Sequence, residues 1–261
     1  MDKLKVTNHI NDVDLKNKMF KIVDICNSVL KNHEEKHSEF LNPFEVKNAV
    51  SIINSNDDIE YSIDGGYDNA ERAIINIFPY YTQKEDIEPS TSILEISGNF
   101  KFSSISHRDY LGSLLGLGLK REKIGDILVG DNNCHIIVDK DISDFIIFNL
   151  KKVGKNSIRI KEIERTEIII PEQEYEEIST TVSSLRLDNI VSQAYNISRS
   201  KVVNIIESGY VQVNYEKIIR SSYTVDEGSK ISVRTKGKFI LSEIGCTTRK
   251  DKIRIKIKKY K

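Results

Sequence analysis

The chain contains few of the residues that build disulfide frameworks, metal clusters and membrane spans. Its 261 residues include three cysteines, four prolines and no tryptophan. Cys26, Cys134 and Cys246 lie far apart and form no CxxC pair, which argues against disulfides and structural zinc. No hydrophobic run approaches the length of a membrane span, and the first residues do not resemble a secretory signal. We therefore expect a cytoplasmic protein with free thiols and with no metal, no cofactor and no membrane partner.

Motifs that would indicate an enzyme are also missing from the sequence. There is no P-loop, and a GxxxGxG run that ends at Gly118 is typical of close helix packing and a helix end, not of a dinucleotide site. Cys134 and His135 are adjacent, so in a strand they would point to opposite faces. His33 and His37 would share a helical face only if their helix continued, and an exposed helix end is the better interpretation. The sequence thus predicts no catalytic residue and no small-molecule substrate.

Charge is distributed unevenly, although the chain is neutral overall with 39 basic and 39 acidic side chains. Residues 185–261 carry 17 lysines and arginines against 7 acidic residues, and the remainder carries 22 against 32. A cationic segment on an acidic body indicates a protein that binds a polyanion with one end. The C-terminal segment is therefore the expected nucleic-acid-binding part.

Residues 186–214 predict two short helices, a glycine stop at Gly209 and a strand. Ser198 is the expected N-cap of the second helix, with a hydroxyl that can accept a backbone N–H. Arg199 and Lys201 fall in its first turn, where cations oppose the helix dipole. Their position therefore suggests phosphate binding, and we expect their removal to weaken RNA binding without lowering stability.

The residues Arg186-Leu187-Asp188, Ser198-Arg199-Ser200 and Gly209-Tyr210-Val211 resemble the RNA-binding domain first seen in small-subunit ribosomal protein four, the S-four domain. The resemblance covers about residues 183–239. Tyr215 stands where the family usually has glycine after asparagine. Asp188 is expected to cap its helix or orient an arginine, because an acid that faces RNA would repel it. The candidate RNA-binding residues are Arg186, Asp188, Ser198, Arg199, Lys201, Tyr210, Lys236 and Lys238.

The end of the chain extends this basic module. Residues 252–258 alternate strictly between cations and isoleucines, so a strand would separate them onto two faces. Two interpretations remain open, a solvated edge strand and an RNA-facing surface. Tyr210, Tyr215, Tyr223 and Phe239 could stack on bases, although packing in the core or a hairpin is the more usual role of each.

The N-terminal two thirds predict a different architecture. Helices are expected over 12–32 and from Pro43, and a strand over 59–63. A compact α/β unit follows, whose order resembles an RRM-like sandwich without an aromatic RNP-type strand. Its expected elements are strands at 73–78, 93–96 and 157–163, helices at 107–119 and 143–153, and a hairpin of 126–129 with 135–138 across residues 130–133.

The predicted fold class is α+β, with an N-terminal helical region, an RRM-like α/β middle domain and a C-terminal S-four-type (αL-like) RNA-binding domain. The predicted boundaries are 1–70, 71–180 and 181–261. The acidic, polar stretch 171–181 is interpreted as partly linker, and 168–170 as a possible short strand.

The runs 37–43 and 107–127, together with the S-four-type end, closely resemble the YlmH family of bacterial proteins. That resemblance spans nearly the whole chain. It implies binding to ribosomal RNA of a large subunit that carries obstructed peptidyl-tRNA, and some members are linked to cell division.

The sequence is compatible with three classes of function. The first is a non-catalytic RNA-binding factor on the ribosome. The second is an RNA-modifying enzyme, because S-four modules are also appended to pseudouridine synthases and methyltransferases. The third is a cell-division scaffold that binds protein partners through its acidic body.

Overall fold

The computed structural model describes residues 1–98, 105–130 and 133–261. The chain divides into two compact units, Met1–Pro171 and Glu172–Lys261. The division falls before the predicted boundary at 180, because the strand Tyr175–Val182 pairs with the last strand of the chain. With this division the C-terminal unit holds 17 basic and 11 acidic residues. Among the described helices, none combines the length and the apolar character that a membrane crossing requires.

The first unit begins with helices packed on a small sheet. The side chain of Asp12 caps the long helix by accepting the N–H of Leu15, and Asn42 and Glu45 form a capping box ahead of Pro43. The helices predicted over 12–32 and from Pro43 are confirmed. The elements are α1 (Lys3–Val6), α2 (Val13–Asn32), β1 (Lys36–His37), α3 (Pro43–Ile53), β2 (Ile59–Asp64) and β3 (Ile74–Pro79), with the strands in the order β1-β3-β2.

One expectation for this region is wrong. The strand expected over 73–78 forms as β3, but it lies between β1 and β2 and not in the middle sheet. The N-terminal sheet therefore extends beyond residue 70. His33 adopts a left-handed conformation that ends α2, so His33 and His37 do not share a helical face, and the interpretation of an exposed helix end is confirmed.

The middle region has the βαββαβ order of an RRM-like fold, with one additional two-residue strand before the last strand. Its sheet order is β5-β6-β4-β8-β7, and two helices cover one side of it. The predicted hairpin is confirmed, although Asp131 and Asn132 of its turn lie outside the described residues. The elements are β4 (Thr91–Gly98), α4 (His107–Gly116), β5 (Ile124–Val129), β6 (Asn133–Asp139), α5 (Ser143–Asn149), β7 (Lys152–Val153) and β8 (Asn156–Ile163).

The helix expected over 143–153 is shorter than predicted. It ends at Asn149, because Leu150 turns to an extended conformation that buries its side chain and Val153 enters a strand. Residues 168–170 are not a strand. Single turns of 3-10 helix lie at Lys84–Asp86, Arg121–Lys123, Lys140–Ile142 and Arg165–Glu167.

A buried carboxylate joins the two parts of the first unit. Asp64, at the end of β2, accepts hydrogen bonds from the backbone N–H groups of Gly66, Ser90 and Thr91 and from the Arg165 guanidinium at 2.8 Å. Burial alone would raise the pKa of Asp64, but these donors outweigh burial and lower it. The carboxylate therefore stays ionised and ties the N-terminal strands to the RRM-like region.

The C-terminal unit is a six-stranded antiparallel sheet with two helices on one side. Its order is β11-β10-β12-β13-β14-β9, and α6 and α7 share one apolar core with the sheet. Asn196, in a left-handed conformation, ends α6 and allows the turn into α7. The elements are β9 (Tyr175–Val182), α6 (Leu187–Tyr195), α7 (Arg199–Glu207), β10 (Val211–Val213), β11 (Glu216–Lys217), β12 (Lys230–Val233), β13 (Gly237–Thr247) and β14 (Ile253–Tyr260).

The final strand is not at an edge. β14 pairs with β13 on one side and with β9 on the other, so the edge-strand interpretation is wrong. Much of the stretch interpreted as partly linker is the strand β9. Its glutamates face lysines of the last strand, as in the pairs Lys258–Glu177 at 3.8 Å and Lys259–Glu176 at 3.5 Å. The acidic composition that resembles a linker therefore complements a basic strand.

Candidate nucleic-acid interface

The N-terminus of α7 is an exposed cationic helix end. Ser198, Arg199, Ser200 and Lys201 are all exposed, and the apolar residues of α7 face the core. The expected cap is wrong in one respect, because the Ser198 hydroxyl makes no capping hydrogen bond and lies 3.3 Å from the Ser200 hydroxyl. The helix end thus presents backbone N–H groups, the positive end of the helix dipole and two cations to solvent. This combination suits a phosphate.

A buried carboxylate fixes two arginines beside this helix end. Asp188 is 1% exposed, and its side chain accepts Nε and Nη2 of Arg186 at 3.2 and 3.1 Å and Nη2 of Arg199 at 2.7 Å. The guanidinium groups themselves are half-exposed. Asp188 therefore orients both arginines from the protein interior, and because it is buried it cannot contact RNA directly. It follows that Arg199 has a structural partner, which the expectation of a purely RNA-binding role does not include.

The ionisation of Asp188 depends on these arginines. Burial alone would raise the pKa of Asp188, but hydrogen bonds and charge from Arg186 and Arg199 hold it below its ordinary value. The folded-state pKa thus lies below the unfolded-state pKa. The resulting stabilisation is complete above the unfolded-state value of about 3.9 and is lost as the pH falls through the folded-state value.

We expect the Asp188→Asn variant to be less stable than the wild type at pH 7 and to approach it at pH 3. The amide removes the charge but keeps the shape, so only the charged form of the wild type gains from the two arginines. Urea unfolding of both proteins at both pH values measures the difference. An equal difference at pH 7 and pH 3 would show that the contribution is not electrostatic.

The turn between β12 and β13 supplies the other predicted cations. Lys236 is exposed in the turn, and Lys238 is half-buried at the start of β13. Tyr210 follows the end of α7 and is 46% exposed, with the guanidinium carbon of Arg234 5.1 Å from its ring centre. An arginine on an exposed tyrosine forms a flat surface against which a base or ribose can pack. Arg234 is a candidate that the sequence reasoning did not single out.

The remaining aromatic candidates have different positions. Phe239 is fully buried in the core, and Tyr223 packs against it at the periphery. Tyr215 occupies the second position of a two-residue hairpin turn in which Asn214 also has a positive φ. Such turns favour glycine at this position, so Tyr215 is strained there. Its hydroxyl accepts the Lys230 ammonium at 2.7 Å.

The RRM-like sheet has a face that is largely covered by its own chain. Ile93 and Ile137 on this face are buried against Phe40, and the N–H of Ile169 donates to Nδ1 of the buried His135 at 3.0 Å. Stacking of bases on the central strands, the usual RRM mode, is therefore blocked there. Cys134 points to the opposite face, into the helix-covered core, where burial raises the pKa of its thiol. A Cys134–His135 catalytic pair does not form.

One group of possible metal ligands lies in the described part of the first unit. It consists of His37, Asp139 and Asp141, with Nε2 of His37 3.7 Å from Asp141. The Lys123 ammonium already pairs with the buried Asp139 at 2.6 Å. The arrangement is that of an ion-pair network. The positive charge of the Lys123 ammonium offsets one of the two carboxylates, so a metal cation would meet one net negative charge there instead of two.

The two helices, the cationic start of α7 and the following hairpin define an RNA-binding module of the S4 class. Family models agree: "S4 domain" matches residues 185–231, "Putative RNA-binding domain in YlmH" matches 83–167, and "YlmH, N-terminal" matches 15–82. The chain belongs to the YlmH family. This confirms the resemblance carried by the sequence motifs and the predicted fold class.

Two similarities to known proteins support the family assignment and the fold. The chain is 34% identical to "Ribosome-associated protein quality control protein P2" of Bacillus subtilis. The alignment extends over 233 residues and covers 89% of this chain and 90% of that protein. The solved structure of "Cell division protein ylmH from Streptococcus pneumoniae" aligns with a TM-score of 0.53 at 24% identity. That alignment covers 60% of this chain and 96% of the other, and it supports the fold.

Proposed function

We propose that the protein is a ribosome-associated factor whose C-terminal unit binds ribosomal RNA of the large subunit, in complexes that carry peptidyl-tRNA. The observation that carries the proposal is the exposed start of α7, where Arg199 and Lys201 meet free N–H groups and Asp188 holds Arg186 and Arg199 in place. Spaced cations of this kind recognise a folded RNA backbone by phosphate position and shape. The name of the Bacillus subtilis relative supports the ribosome as the target.

We further propose that binding is the activity and that the protein performs no chemistry. An RNA-modifying synthase needs an aspartate that can reach its substrate, in a setting similar to Arg186-Leu187-Asp188. Here Asp188 is buried and bound to two arginines. The thiols of Cys26 and Cys134 are buried, and burial raises the pKa of Cys26 to about 12, so neither provides a reactive thiolate.

Purification of ribosomal complexes through a tagged copy of the protein tests both parts. Sucrose gradients should place the tagged protein with free large subunits, and cryo-electron microscopy should show the C-terminal unit on ribosomal RNA beside a tRNA. Density on the small subunit alone, or sedimentation as free protein with an RNase-resistant protein partner, would contradict the proposal. A modification of the bound RNA that depends on the protein would contradict the absence of chemistry.

A further inference from the structure

The six-stranded sheet of the C-terminal unit has a second face, opposite α6 and α7. Alternate residues such as Ile231, Phe239, Leu241, Ile255 and Ile257 enter the core shared with the helices. Their neighbours along each strand must therefore point to the other side, because side chains alternate along a strand. On this outer face the basic residues include Lys230, Lys238, Arg254, Lys256 and Lys258. The acidic residues include Glu177, which pairs with Lys258 at 3.8 Å, and Glu243, which pairs with Lys256 at 2.6 Å.

Three tyrosines and two lysines form a row of contacts across the strands of this face. The Lys230 ammonium lies 5.2 Å from the ring centre of Tyr215 and 5.9 Å from that of Tyr260. The ring of Tyr260 lies 5.1 Å from that of Tyr175, and the Lys258 ammonium lies 5.9 Å from the Tyr175 ring. The row thus runs from the β10–β11 turn to β9, and its three rings are all partly exposed.

The chemistry of this row fits a nucleic acid better than an apolar partner. A ring contact leaves the charge of a lysine in place, so Lys230 can still attract phosphate while the rings offer flat surfaces to bases. Lys258 would exchange its 3.8 Å pairing with Glu177 for a phosphate. At the other end of the same face, Arg254 and Lys256 border a groove of about 540 Å³ that hydroxyls of Ser179 and Thr181 also line. Glu243 lines it too and pairs with Lys256 at 2.6 Å, which leaves Arg254 as the cation for a phosphate there. Cations and hydroxyls of this kind contact phosphates and sugars.

We propose that this outer sheet face is a second RNA-binding surface, which takes an unpaired RNA strand. Bases can stack on protein rings only where they are free of their own helix, so a tyrosine row selects single-stranded segments. The start of α7, on the opposite side of the sheet, takes a folded backbone. The C-terminal unit would then hold two RNA segments at once. This inference rests on the proposed function, because it takes RNA as the target.

The test uses the full chain and two RNA probes in fluorescence anisotropy. One probe is a fluorescein-labelled single strand of twelve uridines, and the other is a transcript of the large-subunit ribosomal RNA. The Tyr175→Leu/Tyr260→Leu variant should bind the uridine strand at least about tenfold more weakly, because stacking is lost, and should lose less affinity for the transcript, which the start of α7 still holds. The Tyr175→Phe/Tyr260→Phe variant keeps the rings and should bind both probes normally.

A variant of the other face separates this inference from the proposed function. Lys201→Ala should weaken transcript binding and leave binding to the uridine strand unchanged. Failure of the wild type to bind the uridine strand, or equal binding by the leucine and phenylalanine variants, would overturn the second surface while the proposed function stands. Failure of the wild type to bind either probe would overturn both. Melting temperatures of the variants identify any loss of folding, and in that case Lys258→Gln, on the same face, replaces the leucine variant.

Discussion

A fragment of residues 172–261 is expected to bind large-subunit ribosomal RNA with the affinity of the whole chain, whereas a fragment of residues 1–171 binds at least about a thousandfold more weakly. The first fragment contains the complete apolar core of its unit and a surplus of basic residues. The second has an acidic surplus and a middle sheet covered by its own chain. Filter binding at fixed salt measures both affinities.

A third fragment tests where the unit begins. Residues 185–261 contain the predicted S-four module but lack β9, which contributes Val182 and the partly buried Ile178 to the core. Loss of this packing costs about 1.5–3 kcal/mol for each buried aliphatic side chain, a large share of the stability of a small domain. We expect this fragment to melt at a lower temperature than 172–261.

Tight RNA binding by the fragment 1–171 would contradict the first of these predictions, because the RNA interface would then lie in the N-terminal unit.

The two cations at the start of α7 should differ in what their removal does to stability, although both removals should weaken RNA binding. Lys201→Ala is expected to weaken RNA binding by about 1–3 kcal/mol and to lower the salt slope by about one, with no loss of stability. Arg199→Ala should weaken binding similarly and also lower the melting temperature, because it leaves the buried Asp188 with a single arginine. Titrations over a range of salt concentrations, with thermal melts, measure both effects.

A control removes two positive charges elsewhere in the unit, one more than the Lys201→Ala variant loses. Arg249 and Lys250 are exposed in the turn between β13 and β14. The Arg249→Ala/Lys250→Ala variant should bind the transcript nearly as the wild type does. If it loses as much affinity as the Lys201→Ala variant, net charge and not the helix end determines binding.

Local patterns in the sequence were sufficient to predict most helices and strands. The apolar spacing of α2, α3 and α7, with Pro43 at the start of α3, is read within one or two turns of the chain, and the structure confirms these helices. The hydroxyl of Ser198 does not form the predicted capping hydrogen bond. The prediction that Asp188 orients an arginine also follows from local spacing, since Arg186 lies two residues away. The second partner, Arg199, could not be predicted in this way, because the turn at Asn196 brings it to Asp188.

The features that the sequence did not predict depend on distant partners. β9 is polar and acidic, and it becomes a strand only because the lysines of β14 lie opposite its glutamates. β3 was assigned to the wrong sheet for the same reason, because its neighbours β1 and β2 are determined by packing and not by its own residues. The RNA contacts of Arg186, Lys236 and the other candidate residues stay predictions.

The position of β14 between β13 and β9 has a consequence for the order of folding during synthesis. β9 is made before any other strand of its sheet, but its only partner is made last. Until residues 253–260 have left the ribosome, β9 has no strand to join, and Val182 and Ile178 have an incomplete core. A chain that stops before residue 253 would therefore leave β9 without a strand to join and the core of the proposed RNA-binding unit incomplete.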